Sequence, residues 1–553
     1  MGQLKSQTKI KDLVGIFSVL VDAPAHSGLT GTLDYTSETE LHAGQLVRVP
    51  LGHREVLGVV WDSSPTGDLA PEALRAAQVL SADLPPLNAA WRGLVQFAAQ
   101  YYQRTPGEVA LHALPPELRR LQAQQLARRL KKGLTPAKAL SEAPKPSVPL
   151  PTPEQAQVLA ELAKPEAAGR THLLFGTTGS GKTEVYLRRM ASVLTQAAEA
   201  QALIMVPEIN LTPQLERQVR DRFEPLLGAG CVVSLHSAMT PAQRLQAWLA
   251  AHLGRARIVL GTRLSVFASM PGLRLIVVDE EHDPSYKQQE GARYSARDLA
   301  VYRGHLEGVE VILGSASPSL ESWHQSRPAT AQDPGGRYVR LHMPNRVGDV
   351  ALPDVRCIDM RAMPKGTLFA PRLLDAMKER VDQGEQVMVL LNRRGWAPVL
   401  MCTECDWKSQ CPQCSAYRVI HREDRTLRCH HCGLTHLVPR LCPACGQQDL
   451  SWQGRGTEQL QEFLEQWFTQ HWHPTGRRYE VMRLDADSTR LKGSLERQLG
   501  QVHAGEVDVL VGTQMIAKGH DFKHIGMVVV ADPDGALFSV DFRAPERLFA
   551  LLL

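Results

Sequence analysis

Three shortages in this 553-residue chain each close off a class of protein. No apolar run reaches the roughly 20 residues that a helix needs to cross a bilayer, so no membrane partner is expected. Charge of one sign is not in excess: Lys and Arg number 62 against 58 Asp and Glu, a net charge of +4. Composition therefore does not announce nucleic-acid binding, and any such surface must be a local patch. Cysteine is scarce outside one segment, with only Cys231 and Cys357 elsewhere, both in apolar surroundings that predict buried packing. Disulfide scaffolds are short secreted chains, and this chain is too long for one; its length predicts about three or four domains.

The amino end carries two decoys. Lys5, Lys9 and Lys11 precede an apolar stretch from Leu13 to Val21 and then Ala23-Pro24-Ala25, which imitates a secretory signal. Met1-Gly2 with Ser6 fits the minimal myristoylation pattern. A buried first strand accounts for the same residues, and the motifs below belong to a reducing cytoplasm.

What the chain does have is a cluster of four Cys-x-x-Cys pairs: Cys402/Cys405, Cys411/Cys414, Cys429/Cys432 and Cys442/Cys445. A two-residue gap lets a tight knuckle aim both sulfurs at one Zn²⁺, and eight thiolates fill two tetrahedral sites with none left over. Spacing alone permits either a nested or a sequential pairing. A closed Cys₄ shell keeps no position for water, so both zincs are expected to be structural. Catalysis must come from elsewhere.

After a Pro-rich linker (Pro144, Pro146, Pro149, Pro151, Pro153) the apolar strand His172 to Phe175 runs into Gly176-Thr177-Thr178-Gly179-Ser180-Gly181-Lys182-Thr183. This is the phosphate-loop pattern in its strand-loop-helix context: glycines let backbone N–H groups close on phosphates at a helix N-terminus. Lys182 is expected to reach the β/γ-phosphates of ATP and Thr183 to ligate Mg²⁺. Further on, Leu273 to Val278 reads as a strand buried on both faces and ends in Asp279-Glu280-Glu281-His282. Alone, that polar tetrapeptide is best read as a solvated turn. Beside a phosphate loop, Asp279 is expected to hold Mg²⁺, Glu280 to orient the attacking water and His282 to couple the site to the next element. The same strand-then-polar-loop build recurs before Pro207-Glu208, Gly261-Thr262-Arg263, Gly314-Ser315-Ala316-Ser317, Asn392-Arg393-Arg394-Gly395 and Gly512-Thr513-Gln514. Such alternation predicts an α/β fold with two RecA-like doubly wound lobes.

The segments GTTGSGKTEVY, VPEINLTPQ, DEEHDPSYKQQEGARYSARD, GSASPSLES, LNRRG and GTQMIAKGHDF, together with eight cysteines interrupting the second lobe, resemble the PriA family of superfamily 2 DNA helicases, which restart stalled bacterial replication forks. The resemblance covers most of residues 17 to 550. It implies an N-terminal, mostly β domain for DNA 3′ ends (1–115), a basic segment and linker (116–150) and a first lobe (151–345). The second lobe then runs over 346–400 and 451–553 around a zinc insertion at 401–450. From it come nested zinc ligation, Gln155 as an adenine contact, and Gln514, Gly519 and Asp521 as nucleotide contacts. Asp34, in Thr32-Leu33-Asp34-Tyr35, and Gly52, in Val47-Arg48-Val49-Pro50-Leu51-Gly52, are expected to line the 3′-end pocket, with Leu33 and Leu51 where the family carries aromatics. Tyr286, Lys287, Arg293, Tyr294 and Arg297 resemble an aromatic-rich loop linking DNA contact to hydrolysis, since bases stack on aromatics and phosphates pair with Arg.

Two departures accompany the resemblance. The segment from Pro116 to Pro149 is too short for the family's winged-helix domain; its Leu118, Leu121, Leu126 and Leu130 are expected to face a partner, or its basic side (Arg119, Arg120, Arg128, Arg129, Lys131, Lys132) to bind DNA, or the whole to be a solvated helix. The chain stops at Leu553, ahead of the family's Arg-rich motif and C-terminal DNA-binding domain, so ATP bound but poorly hydrolysed is the expectation for the chain as it stands. The implied activity is ATP-dependent 3′-to-5′ unwinding. The implied partners are forked and single-stranded DNA, primosome proteins, a helicase loader and single-strand-binding protein, in the nucleoid-associated cytoplasm. The competing expectation is a zinc-containing scaffold that binds forks and recruits the loader without unwinding.

Overall fold

Valine- and leucine-rich strands near the amino end form a small sheet that is covered on both faces. The structure, a computed structural model, describes all residues except 1–14, 24–30, 63, 66–68, 133–147, 208–212, 349–352, 365–366, 392–399, 403, 406, 415–416, 422–424, 430–431, 449, 452–456, 485–493, 514–521 and 539–540. The chain divides into two units, Met1–Ala351 and Leu352–Leu553. In the first, strands β1 (Gly15–Val21), β2 (Leu33–Ser37), β3 (Leu46–Leu51), β4 (Arg54–Val60) and β5 (Gln78–Val79) pair antiparallel in the order β2-β1-β4-β3-β5. Val19, Val21, Tyr35, Val47 and Val49 fill one face. Leu46, Leu57 and Val59 point the other way, against helices α1 (Ala89–Tyr101) and α2 (Pro106–Ala113). Helix α2 lies close on β1: a Cβ on Gly107 would sit 2.0 Å from the Val21 carbonyl oxygen.

The basic segment that follows corrects an expectation. Leu118, Leu121, Leu126 and Leu130 are all buried in the same apolar cluster, the last two on α3 (Ala123–Lys132), so they face neither a partner nor solvent. Arg48 holds the turn before α3 by donating to the carbonyls of Leu118, Arg119 and Leu121 at 2.7 to 2.9 Å. Arg128 and Arg129 lie exposed on a helix whose apolar stripe is core.

Next come α4 (Pro153–Leu162), β6 (Thr171–Gly176), α5 (Lys182–Gln196), β7 (Gln201–Met205), α6 (Pro213–Leu227), β8 (Val232–Leu235), α7 (Pro241–His252), β9 (Ile258–Gly261), β10 (Leu273–Val278), α8 (Ala296–Glu307), β11 (Glu310–Ser315), α9 (Leu320–Gln325) and β12 (Val339–Met343). The strands form one parallel sheet in the order β12-β6-β11-β10-β7-β9-β8. Strand β10 is central and alternates between two cores, Ile276 and Val278 on one face and Leu275 and Val277 on the other. A strand covered on both faces has no need of polar residues until it emerges, and β10 emerges at Asp279.

The second unit repeats the parallel plan on a smaller scale. Helix α10 (Pro371–Asp382) precedes β13 (Gln386–Leu391), and the Cys-rich segment follows with short strands β14 (Met401–Cys402), β15 (Val419–His421), β16 (Thr426–Arg428), β17 (Thr435–Leu437) and β18 (Leu450–Ser451). The main sheet resumes with α11 (Thr457–Thr469), β19 (Val481–Leu484), α12 (Ser494–His503), β20 (Val509–Gly512), β21 (Ile525–Ala531) and α13 (Ala544–Leu552), in the parallel order β19-β20-β13-β21. Cys231 is buried as expected, but Cys357 is exposed. The described residues around it, 353–364, form no strand and only one short helical turn, so its apolar neighbours have no sheet to join.

Trp91 fastens the antiparallel sheet and its helices to the parallel one. Asn88 caps α1 through the Trp91 N–H, and the Trp91 indole, 1% exposed, donates to the Phe267 carbonyl at 2.8 Å. Trp91→Phe keeps most of the apolar volume but leaves a buried carbonyl unmet. The expected loss is about 1–3 kcal/mol, read as a lower urea midpoint of the first unfolding transition, with Trp91→Ala losing about 3–5 kcal/mol.

Candidate functional site

The phosphate loop joins β6 to α5 and its geometry is set by small residues. Gly179 and Gly181 have φ of +83° and +82°, which side chains with a Cβ rarely adopt. A Cβ at Gly181 would also meet the Gln155 amide nitrogen at 2.3 Å. Gln155 is buried; it completes a capping box with Thr152 at the start of α4, and its amide donates to the Gly181 carbonyl at 3.3 Å. Gln155 thus braces the loop from behind. Lys182 is buried at the first turn of α5 and donates to the Gly176 carbonyl at 2.9 Å, while Thr183 follows it half-buried.

Asp279 emerges at the same edge of the sheet as the phosphate loop because β10 runs parallel to β7 and ends level with it, in the same parallel sheet as β6. Burial raises the Asp279 pKa above the usual carboxylate value, and the Lys182 charge and a hydrogen bond from Tyr186 oppose that rise. Tyr186 donates to Asp279 Oδ1 at 3.0 Å. Burial first, and the Asp279 charge second, hold that phenol far from ionising, so it remains a donor. No larger residue fits at Gly314 on the neighbouring strand, where a Cβ would lie 1.5 Å from the Tyr186 hydroxyl.

Beyond Asp279 the chain turns sharply, with Glu280 at φ +47°, a conformation that a non-glycine residue holds at a cost of about 1–2 kcal/mol. The turn parts alternate side chains. His282 Nδ1 lies 2.7 Å from Ser315 Oγ and 3.6 Å from Glu280 Oε2. Glu281 points away into a buried network: it accepts from Ser319 N at 2.7 Å, Ser319 Oγ and Ser322 Oγ at 2.9 Å, and Arg297 Nη1 at 3.2 Å. His282 therefore ties the strand end to the last residue of β11, Ser315, and Glu281 ties it to the segment that follows, through Ser319. Glu281 carries no role on sequence grounds alone; its signal is the series of serines from Ser315 to Ser322.

The aromatic-rich loop departs from expectation. Tyr286 is 2% exposed, its hydroxyl 2.6 Å from the Asp279 carbonyl and 2.9 Å from that of Met205. Tyr294 is buried edge-on against Phe267 at 5.2 Å. Neither ring offers a face to a base, because each fills the gap between the loop and the sheet. Arg297 is held by Glu281 and Asp298; burial works against its charge, yet those two carboxylates raise its pKa. Lys287 and Arg293 are exposed, and the Lys287 ammonium lies over the Tyr102 ring at 5.2 Å.

In the amino-terminal sheet, Tyr35 Oη donates to the Pro50 carbonyl at 3.1 Å, and Arg75 donates to the Gly52 carbonyl at 2.8 Å. The ends of β2 and β3 are brought together, and a recess of about 430 Å³ opens beside them, lined by Gly52 with Arg48, Arg54 and Arg75. Asp34 is not in its lining; its carboxylate accepts from Ser18 Oγ at 3.0 Å. The arginines were missed, since they are scattered in sequence. Gln514, Gly519 and Asp521 lie outside the described residues, as do Glu208 and Asn392-Arg393-Arg394-Gly395.

The cysteines gather as two groups, Cys402/Cys405/Cys442/Cys445 and Cys411/Cys414/Cys429/Cys432, which is the nested pairing that the resemblance implied. Cross-pair sulfurs lie 3.5 to 3.7 Å apart. That is far beyond a disulfide bond of about 2.05 Å. It is close to the ~3.8 Å edge of a tetrahedron with ~2.3 Å zinc–sulfur bonds. Gly433 and Gly446, at φ +79° and +75°, close two of the knuckles by donating to the Cys429 and Cys442 carbonyls. The residues fit two Zn²⁺.

Replacing Glu281 with Ala strands Arg297 and two serine hydroxyls in the interior. The expected result is a loss of about 3–5 kcal/mol in stability, visible in urea denaturation, with Glu281→Gln losing less because it keeps an acceptor.

Comparison with known proteins agrees with this geometry. Residues 152–325 match the DEAD/DEAH box helicase family, residues 18–115 the 3′ DNA-binding domain and residues 411–436 the PriA DNA helicase Cys-rich region. The chain is 35% identical to the replication restart protein PriA of Haemophilus influenzae, covering 93% of this chain and 76% of that protein. With the protein of the same name from Bacillus subtilis it shares 36% identity over 74% of this chain and 49% of that one. Among solved structures, the Mycobacterium smegmatis helicase Lhr bound to ssDNA and AMP-PNP is similar at 16% identity and a TM-score of 0.40, over 69% of this chain and 42% of that one. The chain belongs to the PriA family of replication restart proteins, with a DEAD/DEAH box helicase region and a 3′ DNA-binding domain.

Proposed function

We propose that this chain is an ATP-driven DNA helicase that recognises forked DNA through a free 3′ end, moves 3′ to 5′ along single strands and initiates primosome assembly. The observation that carries the reading is the placement of Asp279 at the end of the central strand, hydrogen-bonded to Tyr186 on the helix that the phosphate loop begins. The backbone N–H groups of the loop and Lys182 bind the phosphates, and Gln155, fixed against Gly181, sets the loop for adenine recognition. Thr183 and Asp279 are the residues to hold Mg²⁺, which neutralises phosphate charge when bound. Glu280, turned at the strand end, orients the attacking water. His282 reports to Ser315.

The loop from Tyr286 to Arg297 fits a relay between DNA and hydrolysis, by contacts other than stacking. It begins hydrogen-bonded to the Asp279 backbone and ends in the Glu281 ion pair. Its exposed Lys287 and Arg293 are the cations available to DNA phosphates. The arginine-lined recess beside Gly52 is the place for a 3′ terminal nucleotide, with Asp34 setting the strand beside it. The two Cys₄ groups give a rigid surface for DNA or for primosome partners, among them a helicase loader and single-strand-binding protein. Among the described residues no helix is long and apolar enough to cross a membrane, which suits a cytoplasmic, nucleoid-associated protein.

ATP turnover measured with and without a fork bearing a free 3′ end tests this reading. DNA-stimulated turnover is expected, falling about a hundredfold or more in Lys182→Ala. Fork binding without any stimulated turnover would contradict the motor and leave a scaffold.

A further inference from the structure

One turn into the helix that the phosphate loop begins, a buried phenol reaches across to the end of the central strand. Tyr186 follows Thr183 by three positions on α5, so the two lie on the same face of that helix. The Tyr186 ring is 2% exposed and belongs to one of the two apolar cores of the parallel sheet. Its hydroxyl donates to Asp279 Oδ1 at 3.0 Å, and among the described residues it is the one side chain that donates to this carboxylate. The hydroxyl stands in the space that β11 leaves at Gly314. A Cβ there would come within 1.5 Å of the Tyr186 oxygen and 3.4 Å of Asp279 Oδ1.

We propose that Tyr186 is a positioning residue for Mg²⁺ at the nucleotide site, fixing the Asp279 carboxylate relative to Thr183. The inference rests on the reading of Thr183 and Asp279 as the residues that hold the ion. Those two stand on different elements, a helix start and a strand end, and the Tyr186–Asp279 bond is a direct side-chain link between the elements. Mg²⁺ demands near-octahedral oxygen ligands at about 2.0–2.1 Å, so small errors in ligand placement weaken it. A carboxylate turns broadly about its last torsion. A buried phenol carried by the helix of Thr183 stops that rotation at Oδ1 and sets the plane in which Oδ2 is presented. Removing the hydroxyl keeps the carboxylate and its charge but lets the group turn. The consequence falls on the fit of the ion, not on the phosphate cradle.

The test is equilibrium binding of a fluorescent, non-hydrolysable ATP analogue in Mg²⁺, in Ca²⁺ and in EDTA, with the full chain and with Tyr186→Phe, Gly314→Ala and Thr183→Ala. Tyr186→Phe removes the hydroxyl alone. It is expected to bind within about twofold of the unmodified chain in EDTA and to lose about tenfold of the Mg²⁺ enhancement. The Ca²⁺ enhancement falls less, because Ca²⁺ accepts irregular oxygen shells. Gly314→Ala, which keeps the phenol but drives its hydroxyl off Asp279, loses Mg²⁺ enhancement in the same way. Full Mg²⁺ enhancement in Tyr186→Phe overturns the inference alone, provided that Thr183→Ala has lost it. An equal weakening of Tyr186→Phe in Mg²⁺, Ca²⁺ and EDTA marks a merely structural role and overturns it too. An unmodified chain that Mg²⁺ does not tighten, or a Thr183→Ala that Mg²⁺ tightens just as much, overturns the underlying reading of the ion site as well.

Discussion

A carboxylate inside the end of a sheet is the constraint on which the rest of the molecule depends. Asp279 lies where a fully covered strand emerges, and burial there disfavours its charge. Lys182 opposes that penalty from the phosphate loop, and Tyr186 from the helix that the loop begins. Each of these partners is conditional on something else. Tyr186 fits only because Gly314 has no side chain, and Lys182 is placed by a loop whose glycines hold left-handed conformations. The site is a small set of mutual supports, so losing one member moves the others.

The supports radiate outward along hydrogen bonds. From Asp279 the Tyr286 hydroxyl reaches the following loop; from Glu281 the serine and arginine network reaches the segment after β11; from His282 a bond reaches Ser315 at the end of β11. Three residues of one strand end, Asp279, Glu281 and His282, thereby touch three other pieces of the first unit. On the opposite side the phosphate loop is held by Gln155 from behind and by Met343–Val347 from above. The loop itself is thus in direct hydrogen-bonded contact with the segment leaving the unit.

Much of this was legible in the sequence where the chemistry demands neighbouring residues. The phosphate loop, the Asp279-Glu280-Glu281-His282 turn and the Cys-x-x-Cys knuckles are contiguous, and their spacing is itself the mechanism. The alternation of apolar strands and polar loops likewise announced two parallel sheets. What was illegible depends on which way a side chain faces. Tyr286 and Tyr294 sit in a polar stretch and read as a stacking loop, yet both are core, because a loop folded back on a sheet needs large side chains beneath it. Leu118, Leu121, Leu126 and Leu130 read as facing a partner or lying on a solvated helix, yet all four belong to the chain's own interior. Cys357 shows the reverse, an apolar-flanked residue left exposed. The arginines of the recess beside Gly52 and the Met343–Val347 segment over the phosphate loop come from separate stretches of chain, so only the fold brings them to their sites.

The role assigned to Asp279 can be isolated from the stability of everything around it. Asp279→Asn keeps the shape of the side chain and an acceptor for Tyr186 while removing the charge that a divalent ion needs. The decisive measurement is the affinity of each protein for a non-hydrolysable ATP analogue, in Mg²⁺ and again in EDTA. Mg²⁺ should tighten binding to the unmodified chain and leave binding to Asp279→Asn unchanged. An equal Mg²⁺ enhancement in both would contradict the placement of the ion at the end of the central strand, and with it the reading of the site.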